Sequence, residues 1–515
     1  MRVYVGKTTA LMTSVNDKTQ RQVLWGDWLE VRDKPGDAKR YSVTWRRWDA
    51  KSSRPVDEEY TIAKADCQDL PLLEMVFIDV GQGDGCVLSV PDGKSSKVIV
   101  VDAGEGRNMH GYLKWRRYNI DKDPRLHAAV ITHPDSDHYH GFQDIFDDKR
   151  FEFDHVYHNG LVERVGPNSK DNIGRREGGY CVDICETQAD AHALLSDKDN
   201  RGRMLYPNLL WTALSQPKRF GEVTMMGVDQ DAKAPKLLPG FEGGDANGAR
   251  IEVLGPVVER RGKKARLRQF GDKPGDGGFD KGKTKNGHSV LLKLTYGNLK
   301  VIFGGDLNRP SEDFLLRHYG KIGDEAPLSK AVAEARKRFA SDILKCCHHG
   351  SADVTDEFIE AVSPFGFVVS SGDEESHVHP RPEVLGLLGK KGRSDRPMIL
   401  CTEILRSTPE SRSYTKAEAE KLAELEAAVH DAADSKSRKA AQKAVREFHD
   451  RRYRRQVNVY GAINIRTDGK RLVVAFLKEV GKPTSRWQTY EYHFDGKDWV
   501  GGTEKGAGKK KERTH

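Results

Sequence analysis

The run His133-Pro134-Asp135-Ser136-Asp137-His138 puts two imidazoles and two carboxylates on six consecutive residues, too dense for ordinary surface use. A His/Asp alternation on a loop can point side chains at two neighbouring cations, His133 and Asp135 at one, Asp137 and His138 at the other. Asp306 follows Gly304-Gly305, which permit close approach, and is placed to bridge both ions. His288 and one of His348 and His349 would close the remaining positions, because chain neighbours seldom reach the same ion. Two divalent ions so held, zinc or manganese with magnesium as a third candidate, lower the pKa of a shared water toward about 7 and clamp the oxygens of a phosphoryl or acyl group. In that chemistry Asp137 orients the nucleophile, and His379 is the candidate general acid or leaving-oxygen contact. Arg260, Arg261, Lys263 and Lys264 lie in a basic loop ahead of His288 and are expected to grip an anion at the mouth.

These side chains recur where an apolar run stops. The stretch 126–132 is a short, nearly continuous apolar run, as expected of a strand covered on both faces, and it delivers His133. Runs at 299–303, 343–347 and 365–370 precede Asp306, His348-His349 and His377-Val378-His379. Residues 1–70 alternate at period two between turn signals and read as a small β-rich domain. Its Trp25, Trp28, Trp45 and Trp48, beside Arg46 and Arg47, could stack on bases, but tryptophans in so small a β unit are expected to be its core. A hydrolase core is expected over 71–390, with a polar, glycine-rich insertion at about 160–245. A helical hairpin follows over 391–456, opened by a Thr415/Glu418 capping box, with Leu422, Leu425 and Val429 on one face. It is read first as a packing or oligomerisation element. A closing β unit at 457–500 and a basic tail at 501–515 complete the chain.

At 515 residues the chain is long enough for one large α/β domain with additions. No apolar run approaches the roughly 20 residues that span a bilayer, and no signal-peptide pattern opens the sequence, so a cytoplasmic protein is expected. Seven scattered cysteines argue for reduced thiols rather than a disulfide framework. The net charge of +8 is compatible with a polyanionic partner and points to one only weakly.

Together, Phe77-Ile78-Asp79-Val80-Gly81-Gln82-Gly83-Asp84, Val101-Asp102-Ala103-Gly104, Ile131 to His138, Phe303-Gly304-Gly305-Asp306, His348-His349-Gly350-Ser351 and His379-Pro380-Arg381-Pro382 resemble, in order, the motifs of the metallo-β-lactamase superfamily. Within it they are most similar to the soluble hydrolase domain of ComEC-type DNA-uptake proteins. The resemblance implies a four-layer αββα sandwich, here with an N-terminal β appendage and a helical-hairpin insertion, and a metal site at one edge between the sheets. Asp135 stands where the superfamily's commonest motif has histidine, a harder ligand that brings manganese and magnesium into competition with zinc. His140-Gly141 replaces a Gly-Gly pair, His288 takes the place of a third-motif ligand, and the ComEC transmembrane region has no counterpart in the sequence. The implied activity is a phosphodiesterase acting on DNA or RNA. Hydrolysis of a small nucleotide, phosphoester or lactone, and a regulatory module without turnover, stand as alternatives.

Overall fold

A computed structural model describes residues 1–32, 38–49, 54–81, 83–114, 125–166, 172–244, 248–271, 279–372, 378–402, 416–453, 462–478 and 482–504. Thr415, Gln82, His377 and the lysines of the tail lie outside these residues, as do the side chains of Arg46, Arg47 and Trp48.

Strands such as Leu73–Phe77, buried at every residue, cannot face water on either side and must lie inside a layered stack. Two sheets provide that stack. In the ten-stranded sheet, Ser95–Ala103, Arg125–Val130, Glu152–His158 and Glu222–Met225 run parallel. On the other side of this group the strands Gly85–Asp92, Leu73–Phe77, Ile463–Thr467, Arg471–Leu477, Trp487–Phe494 and Trp499–Glu504 continue antiparallel. In the seven-stranded sheet, Leu299–Phe303, Ile343–Lys345, Gly366–Val369 and Met398–Cys401 are parallel, and Leu291–Tyr296, Arg250–Gly255 and Lys236–Glu242 extend it antiparallel.

One core lies between the sheets, where Leu88, Val101, Val130 and Ile465 meet Val253, Leu292, Val301 and Val368, and Phe77 stacks on Phe303 with ring centroids 6.1 Å apart. A second core covers the outer face of the larger sheet with the helices Gly141–Asp147 and Leu205–Leu214, through Phe142, Ile145, Tyr206, Leu209 and Leu210. A third covers the smaller sheet with Arg309–Gly320, Val332–Phe339 and Asp356–Val362. The order helix, sheet, sheet, helix is the αββα sandwich. The stretch 160–245 supplies covering helices and the edge strand Glu222–Met225, while Met398–Cys401 is an edge strand of the smaller sheet.

The N-terminal unit is a seven-stranded antiparallel sheet over residues 2–68 with its own small core of Val3, Val5, Met12, Leu29, Val43 and Ile62. Trp25 leaves that core to pack with Leu72, Val473 and Ala475 of the sandwich. Its ring lies under the Arg471 guanidinium, and those of Trp28 and Trp45 under Arg2 and Arg21. The helices Lys416–His430 and Ser435–Tyr453 pack on each other, with Leu422, Leu425 and Val429 only half-buried and nothing in the first helix fully buried. Among the described residues, no helix is long and apolar enough to cross a membrane.

Candidate metal centre

Both sheets aim the carboxyl ends of their parallel strands at one edge of the sandwich, the side on which open α/β sheets bind their ligands. Asp102 lies at the end of Ser95–Ala103, the segment after Arg125–Val130 carries His133 and Asp135 on a loop and Asp137 and His138 in the short helix Ser136–Tyr139, Asp306 follows Leu299–Phe303, and His348-His349 follow Ile343–Lys345. The ligand-capable atoms of Asp84, His138, Asp306 and His349, all buried, lie within 4.8 Å of one another. His138 Nε2 is 3.3 Å from His349 Nε2 and 3.3 Å from Asp306 Oδ2, and His349 Nε2 is 3.1 Å from that oxygen. Asp137 Oδ2 approaches the nitrogens of His349 and His138 at 3.3 Å and 3.9 Å. Ligands about 2.1 Å from a tetrahedral ion are separated by about 3.4 Å, so this triangle has the span such an ion requires. Asp306 Oδ1, buried and 4.0 Å from the Lys345 ammonium, has no hydrogen-bond partner among the described residues, which leaves it able to meet a cation.

The imidazoles are held in a ligating tautomer. Asp102 Oδ1 accepts from the Thr132 backbone N–H at 2.8 Å, and its Oδ2 accepts from Thr132 Oγ1 at 2.7 Å and from His138 Nδ1 at 2.8 Å. With its proton on Nδ1, His138 turns the Nε2 lone pair inward. His349 Nδ1 donates to the Ser370 carbonyl at 3.0 Å with the same consequence. Ser289 Oγ donates to Asn286 O and accepts from the Asp306 N–H, so His133 Nδ1, 3.3 Å from that oxygen, can only donate to it. His133 Nε2, fully buried, has no hydrogen-bond partner among the described residues.

Burial by itself would raise the Asp137 carboxyl, but His138 and His349 outweigh it and hold the group down at about 2. Asp306 lies well below the carboxylate range for the same reason: the two imidazoles overcome its burial. Burial would push His138 and His349 down, yet the Asp306 carboxylate, joined by Asp102 and Asp137 at His138 and by Asp84 and Asp137 at His349, lifts both well above the usual imidazole value. A cation entering here therefore displaces protons, and its affinity must rise with pH.

Backbone geometry tightens the site at two glycines. Gly83, at φ +106°, passes so close to Asp137 that a Cβ would lie 1.8 Å from its carbonyl oxygen, and Gly305, at φ +51°, leaves no room for a Cβ beside Ser289. His348 and His349 both sit in the left-handed region, φ 47° and 54°, where a non-glycine residue costs roughly 1–2 kcal/mol. The fold holds that strain at the loop that turns His349 Nε2 to the cluster.

The other candidates fall into two groups. His133 and Asp135 lie beside the cluster, with His133 Nε2 3.5 Å from Asp135 Oδ2 and the His133 ring 4.0 Å from that of His138. His348, 29% exposed, brings Nε2 to 4.0 Å from Asp306 Oδ2, and His379 packs behind it with ring centroids 5.8 Å apart. His288 is not brought to the cluster, which corrects the expectation from its place in the chain: its Nε2 meets the Arg268 carbonyl at 2.6 Å and its ring packs on Phe270. Arg260 and Arg261 also differ from expectation. They lie on the hairpin strand Val257–Arg261, where Arg260 pairs with Glu186 and with Asp229 at 2.5 Å, and Arg261 with Glu177 at 2.8 Å. Lys263 and Lys264 are exposed at the hairpin turn.

Four residues of the site had no assigned role from sequence: Asp84, Asp102, Lys345 and Lys285. Asp84 and Asp102 end strands or turns inside the motifs quoted above, the same signal that marked Asp306. Lys345 had only the oddity of a lysine in an apolar run; it is 3% exposed, is ion-paired with Asp84 and donates to the Gly305 carbonyl.

No protein-family model matches the chain. It is 29% identical over 106 residues to ComE operon protein 3 of Bacillus subtilis (strain 168), a match covering 20% of this chain and 12% of that protein's length. Among solved structures, a mutant form of the CmlA beta-hydroxylase is similar with a TM-score of 0.30 and 12% identity, over 65% of this chain and 54% of that one. A metallo beta lactamase from Hirschia baltica is similar with a TM-score of 0.21 and 12% identity, over 61% of this chain and 88% of that one.

Proposed function

We propose that this chain is a metal-dependent hydrolase that cleaves phosphodiester bonds in nucleic acid. The observation that carries the reading is the convergence of His138, His349, Asp306 and Asp137 at the sheet edge with separations suited to one small cation. The motif order over residues 77–382, which resembles that of ComEC-type DNA-uptake proteins, favours nucleic acid over a lactone. A divalent ion held by these groups supplies Lewis acidity toward a phosphoryl oxygen and makes water a competent nucleophile near neutral pH.

The chain's own residues do the rest. Asp102 and the Ser370 carbonyl keep His138 and His349 oriented with Nε2 inward. Asp137, whose Oδ2 lies 3.3 Å from His349 Nε2, is the carboxylate proposed to accept a hydrogen bond from the attacking water and aim it. His348 is partly exposed beside the cluster, and His379, buried against its ring, is the group proposed to contact the leaving oxygen. Lys263, Lys264 and the exposed lysines of Ser435–Tyr453 are the cationic positions proposed to meet a polyanion.

The test is incubation of the purified chain with single-stranded DNA, double-stranded DNA and RNA in manganese, magnesium or zinc. Cleavage is expected with at least one ion, to be abolished by chelation and by Asp137→Ala. Intact nucleic acid under every combination of substrate and ion would sink the proposal.

A further inference from the structure

Asp135, the carboxylate expected to hold a second cation with His133, already has a cationic partner on its Oδ1 within the chain, while its Oδ2 lies 3.5 Å from His133 Nε2. Lys285, on the helix Lys281–Gly287, is buried, with its side chain 11% exposed. Its ammonium pairs with Asp135 Oδ1, pairs with Glu163 Oε1 at 3.1 Å and donates to the Pro134 carbonyl at 3.3 Å. An ammonium has three N–H donors, and three acceptors surround this one. The other Asp135 oxygen is engaged as well: the Asn286 amide, turned with its nitrogen toward the carboxylate, donates to Oδ2 at 2.7 Å. Asp135 thus differs from Asp306, whose Oδ1 has no hydrogen-bond partner among the described residues. The third group that would complete a second ion's shell, His288, spends its Nε2 on the Arg268 carbonyl.

We propose that Lys285 stands, as a fixed ammonium, in place of a second metal ion, so that the centre works with one cation at His138, His349, Asp306 and Asp137. The inference rests on the reading of that cluster as a metal centre. Three features carry it together: a buried lysine with a full acceptor set, a carboxylate with both oxygens engaged by protein donors, and a histidine committed elsewhere. Loading a divalent ion beside Asp135 would require expelling the ammonium from three acceptors or holding two cations side by side in a buried site, where repulsion is weakly screened. Functionally, the ammonium contributes a fixed positive charge beside the metal that needs no loading from solution.

Counting ions without substrate tests this. Metal-stripped protein titrated with Mn2+ and dialysed is expected to hold one ion per chain, with an isolated-ion six-line paramagnetic resonance spectrum free of exchange coupling. Lys285→Met is expected to admit a second Mn2+ beside His133 and Asp135, with affinity there rising on the order of 10²-fold. Lys285→Arg, which keeps the charge, is expected to stay at one. Two ions of comparable affinity in the unaltered chain, or an exchange-coupled spectrum, would overturn the proposal, as would a folded Lys285→Met that still holds one. The unaltered chain's count and spectrum decide the matter even where Lys285→Met does not fold. A chain that binds one ion and cleaves no nucleic acid refutes the proposed function and leaves this role of Lys285 standing; a chain that binds no ion overturns both.

Discussion

Two clusters of buried charge sit at opposite levels of the molecule. Where the N-terminal unit meets the sandwich, Arg466, 2% exposed, donates to the Trp25 carbonyl at 2.6 Å and to Asp27 Oδ1 at 2.9 Å, and reaches Glu74 Oε1 at 3.3 Å. At the metal centre, Asp137 and Asp306 face two imidazoles whose proton affinity they raise well above the usual value, and Asp306 Oδ1, without a hydrogen-bond partner among the described residues, lies 4.0 Å from the Lys345 ammonium. The first cluster carries its own permanent guanidinium and joins two units. The second is held together by contacts of 3.1–3.3 Å between imidazole nitrogens and carboxylate oxygens, whose protons a cation can displace. Burial alone thus does not mark a functional site. What separates the two is whether the carboxylates are met by a permanent guanidinium or largely by imidazole protons that a metal ion can displace, since an uncompensated buried carboxylate costs several kcal/mol.

The largest effect is expected at Asp306, the carboxylate that touches both imidazoles. Asp306→Ala should reduce ion content after dialysis to background and lower metal-dependent cleavage by on the order of 10³-fold or more. Elemental analysis beside a cleavage assay measures both, and full ion retention in this variant would erase the contrast with the Arg466 cluster. Arg466→Ala should instead leave ion content unchanged and cost about 3–5 kcal/mol of stability, because Asp27 and Glu74 lose a buried partner. Urea unfolding with and without bound ion tests this, and a loss below about 1 kcal/mol would mean the interface is held by Trp25 and its apolar neighbours alone. A smaller effect is expected at Asp102, which touches His138 only through Nδ1. Asp102→Asn should keep the fold and weaken ion binding by about 10–100-fold, as loss of an outer partner of a ligating histidine does. Isothermal titration reads the change, and an unaltered affinity would show that the ring is oriented by packing alone.

How far this contrast was legible in the sequence depends on whether a residue's role is set locally. His138, Asp137, Asp306 and His349 lie in the short segments after strands whose apolar runs are continuous in the chain, so both the strands and the side chains that follow them can be found without knowing how the sheets meet. Ser95–Ala103 and Leu299–Phe303 announce buried strands in the same way. Lys285 and Lys345 could not be assigned, because an ammonium's partner is fixed by three-dimensional proximity: Lys285 lies 150 positions after Asp135, on a different element. His288 shows the converse limit, since a histidine ahead of a strand reads alike whether its ring reaches an ion or a backbone carbonyl. The helices within 160–245 were hidden by being short and capped by unrelated neighbours, and only Leu205–Leu214 offers much apolar surface.

A third case sharpens the comparison: a buried carboxyl whose burial favours the protonated form. Glu312, in the first turns of Arg309–Gly320, is fully buried, and its Oε2 accepts from the Thr355 N–H at 2.6 Å and from Thr355 Oγ1 at 2.8 Å. Burial pushes its carboxyl up from 4.5 to about 8, against the opposing pull of those two hydrogen bonds. Here the charge problem is solved by keeping the proton. The folded chain binds that proton more tightly than the unfolded chain does, so the contribution to stability is complete below pH 4.5 and is lost as pH rises toward about 8. Within that window each pH unit removes about 1.4 kcal/mol from this group's share. Glu312→Gln, neutral at every pH, should flatten that part of the profile: in urea unfolding of metal-free protein at about pH 5 and about pH 9, the variant gains on the unaltered chain as pH rises. Parallel profiles would mean that Glu312 is ionised in the fold with its charge met by protein donors, and it would then belong with the Arg466 cluster rather than apart from both.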